Sequence, residues 1–237
     1  MTNRPSSSIR NVALIGHGGT GKTSLAEALL FRAGAISRLG RVEDGTTTSD
    51  WDPEEQRRQF SINLSILPLE WEGHKVNLID TPGYPDFLGE VICGLRAADA
   101  ALVVIDVTSG VQVGTELTWR LADERRLPRA VFLSRMDREN ADFASALAQV
   151  QQVWGQRCLP LQLPIGSQQD FQGVVDLLSM RAYLGDKDQE ADIPAALQEE
   201  AQSYREKLVE AAAESDDELL ARYLEGEELT AEEIVAG

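Results

Sequence analysis

The chain has 237 residues, of which 43% are hydrophobic and 26% charged, the balance of an ordinary globular protein with enough material for one large domain or two small ones. Its net charge of −17 argues against free DNA or other nucleic acid held by overall charge. No apolar run approaches the roughly 20 residues of a membrane span, and the polar start Met1-Thr2-Asn3-Arg4-Pro5 is not a signal peptide, so a cytoplasmic protein without a membrane partner is expected.

The first apolar run, Val12-Ala13-Leu14-Ile15, predicts a short buried strand. Behind it, Gly16-His17-Gly18-Gly19-Thr20-Gly21-Lys22-Thr23 fits G-x-x-x-x-G-K-[ST] at every fixed position. Ser24 through Leu30 are strong helix formers with apolar positions at helical spacing. Strand, glycine loop and helix in that order make a phosphate cradle. Glycines let successive backbone N–H groups converge on phosphate oxygens, and the helix N-terminus adds partial positive charge. Gly16 through Ser24 are therefore candidate nucleotide-binding residues. Lys22 is expected at the β- and γ-phosphates and the Thr23 hydroxyl at Mg²⁺.

Residues 37–60 lack apolar periodicity and are rich in Gly, Thr, Asp, Glu and Arg. A loop this long directly after a phosphate-loop helix reads as a ligand-ordered switch segment. Residues 61–69 alternate as a half-exposed strand does, Gly73 marks a turn, and 74–79 read as the partner strand. The runs 100–105 and 130–133 suit strands buried on both faces of a parallel sheet, and 113–126 and 141–154 have helical spacing. Cys93 and Cys158 sit in apolar segments without zinc-ligand spacing and are expected as buried, reduced thiols. After Trp154 the pattern changes to strand-like pieces at 159–165 and 171–177, then helices at roughly 194–213 and 216–224. Residues 186–237 hold 17 acidic and 4 basic side chains, so most of the negative charge lies in this tail. The predicted class is α/β: a P-loop, doubly wound, mostly parallel sheet in residues 1–155, followed by a smaller acidic α+β insertion in 156–237.

Asp80-Thr81-Pro82-Gly83 matches D-x-x-G at the end of a predicted strand. An aspartate there can support a Mg²⁺ shell, and the glycine N–H can approach a γ-phosphate. Ser134-Arg135-Met136-Asp137 follows the strand ending at Leu133, at the place of a base-reading N-K-x-D loop. Asp137 could instead cap a helix, with Asn140-Ala141-Asp142 behind it, but its strand-end position favours base recognition.

With these motifs the chain resembles the N-terminal part of translation elongation factor G, and more closely the elongation-factor-G-like paralogues. The resemblance extends over Asp50-Trp51 to Arg58, Gly110-Val111-Gln112 with Glu116 and Trp119-Arg120, and Met136-Asp137-Arg138 with Ala141-Asp142-Phe143. It continues through Asp170–Leu177, Tyr204–Glu210 and Tyr223–Glu228. It implies GTP/GDP and Mg²⁺ as cofactors, Asp80 and the hydroxyls of Thr23 and Ser61 around the metal, and Ser134, Arg135, Met136 and Asp137 at the guanine. It also implies a ribosomal partner, a monomer, and a segment 37–62 that orders with GTP and relaxes after hydrolysis.

Departures from the family pattern bear on rate and selectivity. Gly19 replaces an aspartate, Ser61 a threonine, Ser134 an asparagine and Arg135 a lysine. Tyr84 stands where a histidine positions the attacking water, a mark of the elongation-factor-G-like class. A phenol is neutral at pH 7 and cannot present an imidazolium. Lys22, Gly83 and Tyr84 are thus the expected catalytic set of a slow GTPase. In the resembled family Gly237 falls inside the insertion, before the last core strand and domains two to five, and without those domains tRNA translocation is not expected of this chain. A cloned fragment and an interrupted gene are both open readings. The rival readings are a non-catalytic, nucleotide-gated module that docks a ribosomal partner and, with less support from Asp137, an ATP-using phosphotransferase.

Overall fold

The computed structural model describes residues 5–185, 187 and 189–236. Met1 to Arg4 of the polar start, Asp186 and Asp188 of the acidic stretch, and Gly237 lie outside the described residues. By packing, the chain forms two compact units that part between Ser134 and Arg135. The change of pattern near residue 156 lies within the second unit.

The first unit is built on a five-stranded sheet. Its strands are β1 (Ile9–Ile15), β2 (Ser65–Trp71), β3 (His74–Asp80), β4 (Ala100–Asp106) and β5 (Arg129–Ser134), in the order β2-β3-β1-β4-β5. β1 pairs parallel with β3 and β4, and β4 with β5, while the hairpin partner β2 is antiparallel. The helices are α1 (Lys22–Arg32), α2 (Pro53–Arg58), α3 (Leu88–Ala97) and α4 (Val113–Asp123). Ala13, Leu14, Ile15, Val103, Val104 and Ile105 are fully buried, as continuous apolar runs in parallel strands should be. The ends of β1, β3 and β5 are also where the sequence motifs begin, so parallel pairing gathers the motif loops at one edge of the sheet.

Three local features differ from the sequence pattern. The alternating run that begins at Ser61 enters the sheet only at Ser65. Its earlier N–H groups go elsewhere, those of Ile62 and Asn63 to Glu55 and that of Leu64 to Glu90. The loop 37–60 contains α2, which needs no apolar stripe. Asp52 caps it, Pro53 presets its first turn, and the Glu55 carboxylate returns to the Asp52 N–H in a capping box. The cysteines are not buried: Cys93 is exposed and Cys158 partly so. α3 buries Val91, Gly94 and Leu95, which turns position 93 outward.

The second unit contains α5 (Phe143–Trp154) and an antiparallel sheet of β6 (Gln162–Ile165), β7 (Gly173–Asp176), β8 (Arg181–Leu184) and β9 (Gln189–Ala191) in sequential order. Three further helices follow, α6 (Gln198–Ala213), α7 (Asp217–Leu224) and α8 (Ala231–Ala236). Leu163, Val175 and Leu177 of the sheet segments pack with Ala201, Leu208 and Ala213 of α6 in one core. The Arg205 guanidinium donates to the carbonyls of Leu177 and Leu178 at 2.9 and 3.0 Å, fastening α6 to the chain after β7. No helix among the described residues is long and apolar enough to cross a membrane.

Candidate nucleotide and metal site

Between β1 and α1 the glycine loop closes on its own lysine. Gly19 and Gly21 take left-handed backbone conformations, and the carbonyls of Gly16 and His17 face the lysine. Lys22 is buried, and its Nζ donates to the carbonyls of His17 at 2.8 Å and Gly16 at 3.2 Å. Burial lowers its pKa to about 8, with Asp80 opposing the shift. An ammonium held in this way keeps a strong preference for an anion that restores its lost solvation. Thr20 donates to the His17 carbonyl, and the Ser134 hydroxyl lies 2.8 Å from the Thr20 carbonyl and 3.2 Å from that of Ile105. Ser134 thereby ties the end of β5 to the phosphate loop. Ser24 is exposed in the first turn of α1. The buried Nδ1 of His17 has no partner, and a Cβ at Gly114 of α4 would come within 2.5 Å of it, so α4 packs closely on the loop.

At the second residue of α1, a further cluster gathers hydroxyls and carboxylates. Thr23 Oγ1 donates to Asp80 Oδ2 at 2.7 Å and lies 3.1 Å from Ser61 Oγ. Ser49 donates to the same Asp80 oxygen at 2.7 Å, and Ser61 to Asp50 Oδ1 at 2.7 Å. Asp80 is fully buried at the end of β3, and burial raises its pKa to about 6 against the hydrogen bonds from Ser49 and Thr23 and the charge of Lys22. Burial also raises the pKa of Asp50. Asp80 Oδ1 is buried without a hydrogen-bond partner. A carboxylate oxygen left unpaired beside two hydroxyls is a hard, all-oxygen donor set, which suits Mg²⁺. No group of three His, Cys, Asp or Glu side chains forms a metal cage among the described residues.

Gly83 and Tyr84 close the phosphate loop from above. A Cβ on Gly83 would lie 2.5 Å from Lys22 Nζ and 2.7 Å from the backbone of Gly18, so no side chain fits there. The Tyr84 ring covers Gly18, where a Cβ would come within 3.0 Å of it, and meets Phe60 at a centroid distance of 4.8 Å. Tyr84 as a residue remains 40% exposed.

In the second unit, Arg135 adopts a left-handed backbone conformation and Asp137 is exposed. The N-cap of α5 is Asp142, which accepts from Ser145 N at 3.0 Å. Asp137 therefore does not cap this helix.

The predicted residues of the first unit thus fall into two adjoining groups, Lys22 with Gly16, His17, Gly18, Gly83 and Tyr84, and Thr23 with Ser61 and Asp80. Sequence reasoning placed Ser49, Asp50, Glu55 and Phe60 in the switch segment without individual roles, and missed Glu27 and Glu90. Only Glu55 carried a local signal, the capping box begun by Asp52.

The family model of the elongation factor Tu GTP binding domain matches residues 7–227. The chain belongs to this family. It is accordingly a GTP-binding domain of the translational GTPase type. A crystal structure of a protein from Thermus thermophilus is 41% identical with a TM-score of 0.89 over 97% of this chain. This chain spans 35% of that protein's length. The match covers the antiparallel sheet and α6 as well as the parallel sheet, so the second unit is part of the shared fold.

Proposed function

We propose that the chain is the GTP-binding, slowly GTP-hydrolysing domain of an elongation-factor-G-like protein that acts on the ribosome in the cytoplasm. In this reading residues 1–155 are the nucleotide domain and 156–237 its acidic insertion. The observation that carries it is the convergence of Thr23, Ser61 and Asp80 beside a lysine buried in its own glycine loop. Lys22 and the loop amides would hold the β- and γ-phosphates. Thr23 and Ser61 would ligate Mg²⁺, with Asp80 supporting the metal. The metal, when bound, supplies positive charge against the β- and γ-oxygens. Gly83 would bring its N–H to the γ-phosphate, and Asp137 would read the guanine edge.

Tyr84 favours a low rate. Its ring occupies the approach to Gly18 and packs on Phe60, and a neutral phenol offers no imidazolium to position water. That same packing favours the second reading, a nucleotide-gated module that docks a ribosomal partner without turnover.

GTP turnover measured with and without ribosomes, beside calorimetry of GTP, GDP and ATP in Mg²⁺, tests the proposal. Selective GTP binding with slow, ribosome-stimulated turnover is expected. Binding without turnover in either condition supports the module, and ATP preference overturns both. Asp137→Asn is expected to move preference from GTP towards XTP, and undiminished GTP binding would remove Asp137 from the guanine site. Tyr84→His is expected to raise stimulated turnover at nearly constant nucleotide affinity, because a water-positioning group acts on the transition state.

A further inference from the structure

The phosphate loop rests on β4 and α4 at two glycines. A Cβ on Gly16 would lie 2.4 Å from the Val104 carbonyl oxygen, so the loop leaves β1 flush against β4. One residue on, the His17 ring meets α4. A Cβ on Gly114 would lie 2.5 Å from His17 Nδ1, 3.1 Å from its Cα and 3.2 Å from its Cγ. The ring therefore fills the space that a side chain at position 114 would need. Its Nδ1 is buried without a hydrogen-bond partner and faces the first turn of the helix. First-turn amides have no carbonyl four residues back within the helix, and a neutral imidazole with its proton on Nε2 is the form that suits them.

Neither side of this contact yields easily. In α4, Thr115 is fully buried and accepts the Gln112 N–H on its hydroxyl at 3.3 Å, and Thr118 Oγ1 donates to the Gly114 carbonyl at 3.0 Å. On the loop side, the His17 carbonyl accepts from Lys22 Nζ at 2.8 Å and from Thr20 Oγ1 at 3.1 Å. His17 thus joins α4, through its ring, to the Lys22 ammonium, through its carbonyl.

Glycine is the poorest helix residue apart from proline, and alanine is the best. By propensity alone, a glycine in α4 is a weakness that alanine would repair. The second residue of α3 is also a glycine, Gly89, and nothing lies within 4 Å of a Cβ built there. The second residue of α4 is Gly114. The two helices therefore offer the same substitution at the same helical position, once into open space and once into the His17 ring.

We propose that Gly114 is a positioning residue for phosphate binding: it admits the His17 ring, and the seated ring fixes the carbonyl that holds Lys22. The inference rests on the reading of Lys22 as the grip on the β- and γ-phosphates, and it adds a residue outside the glycine loop to that grip. The absence of a side chain at position 114 is what places the lysine.

Gly114→Ala, the matched control Gly89→Ala, His17→Ala and the double variant His17→Ala with Gly114→Ala test this on the whole chain. Without nucleotide, Gly89→Ala is expected to keep or raise Tm, and Gly114→Ala to lower it by about 3 °C or more. A Tm for Gly114→Ala at or above that of the wild type overturns the fitted contact. The chain has two histidines, so imidazole nitrogen spectra separate His17 from the exposed His74, which serves as an internal reference. An unprotonated Nδ1 is expected for His17, with its signal moved by Gly114→Ala and unmoved by Gly89→Ala. A His17 signal indifferent to Gly114→Ala, or a protonated Nδ1, overturns the seating. With Mg²⁺, below the Tm of every variant, Gly114→Ala is expected to weaken GDP about tenfold and GMP less than about twofold, because GMP lacks the phosphates that Lys22 holds. A fold that is merely destabilised weakens both alike, and equal losses overturn the positioning role. Once His17→Ala is present, adding Gly114→Ala should change GDP affinity by less than about twofold, whatever His17→Ala costs by itself. The full tenfold loss in that background overturns the coupling through the ring. Should Gly114→Ala alone fail to fold, the double variant is expected to fold, and failure of both overturns the proposal. Absence of GDP binding by the wild-type chain would refute the reading of Lys22, whereas the melts and spectra decide the seating by themselves.

Discussion

The phosphate loop and the switch segment lie side by side and are held by opposite means. The loop at 16–23 is made by neighbours in sequence: Lys22 binds carbonyls five and six residues back, and glycines supply the backbone angles. The switch segment 37–62 and the chain that leads from it into β2 are held by carboxylates on distant elements, Glu27 on α1 and Glu90 on α3, and by Glu55 reaching past its own helix. The loop is thus fixed by its own backbone, whereas its neighbour is fixed by side chains from several other elements. That division suits a site in which the phosphates are gripped constantly and the metal shell changes.

The largest effect is expected where the loop alone is broken. Lys22→Ala removes the buried cation and should cost about 1.5–3 kcal/mol of GTP binding, since a charge-assisted contact is lost. Calorimetry checks this, and an unchanged affinity would mean that the loop does not grip phosphate through Lys22. Next comes the chain after β3, which closes over the phosphate loop. Gly83→Ala puts a methyl against Lys22 Nζ and the Gly18 backbone, and overpacking of this kind costs about 1–3 kcal/mol. A lower Tm together with weaker GTP binding is the expected pair of results, and a wild-type Tm would show that the closure over Gly18 is loose.

A smaller effect separates ring packing from phenol chemistry. Tyr84→Ala should lose the contact with Phe60, worth about 1 kcal/mol for an aromatic pair, whereas Tyr84→Phe keeps it. Thermal melts of the two variants make the comparison, and equal losses would place the effect on the hydroxyl. The smallest expected effect lies on the outside of the switch. Hydrogen bonds from Arg57 and then Arg58 hold the Glu54 carboxyl at about 2, below its ordinary 4.5. A depressed carboxylate pKa stabilises the fold above the unfolded value and ceases to do so as pH falls from about 4.5 towards about 2. Exchange at α2 should therefore rise over that window before exchange in α1 does, after correction for the intrinsic pH dependence of exchange. Simultaneous loosening of both helices would erase the distinction between the regions. Added salt should mimic part of the acid effect, because the ion pair is exposed.

Much of the architecture was legible because its causes are periodic or local. Apolar runs at 100–105 and 130–133 mark β4 and β5, which pair in parallel as doubly covered strands do. The glycine loop and Asp80 stood out because spacing and strand-end position carry their chemistry. Cys93 shows the opposite case: an apolar segment suggested burial, but helical phase turned the thiol outward. Ser61 could be seen as a hydroxyl in the resembled family's metal position, yet nothing nearby in sequence predicts its bond to Asp50 or the one from Ser49 to Asp80.

What the sequence by itself determined is the order strand, glycine loop, helix, the D-x-x-G at the end of β3, and the class of sheet these imply, because each follows from backbone conformational preference or from the period of burial. Only the tertiary structure decided which carboxylates hold the switch, that Tyr84 lies over Gly18 against Phe60, and that residues 61–64 leave the strand pattern to bond Glu55 and Glu90. Such contacts join residues up to 66 positions apart, as Gly18 and Tyr84 are. A carboxylate on a helix has the same local signature whether it faces water or three buried amides, so burial and direction, which only the folded chain supplies, make the difference.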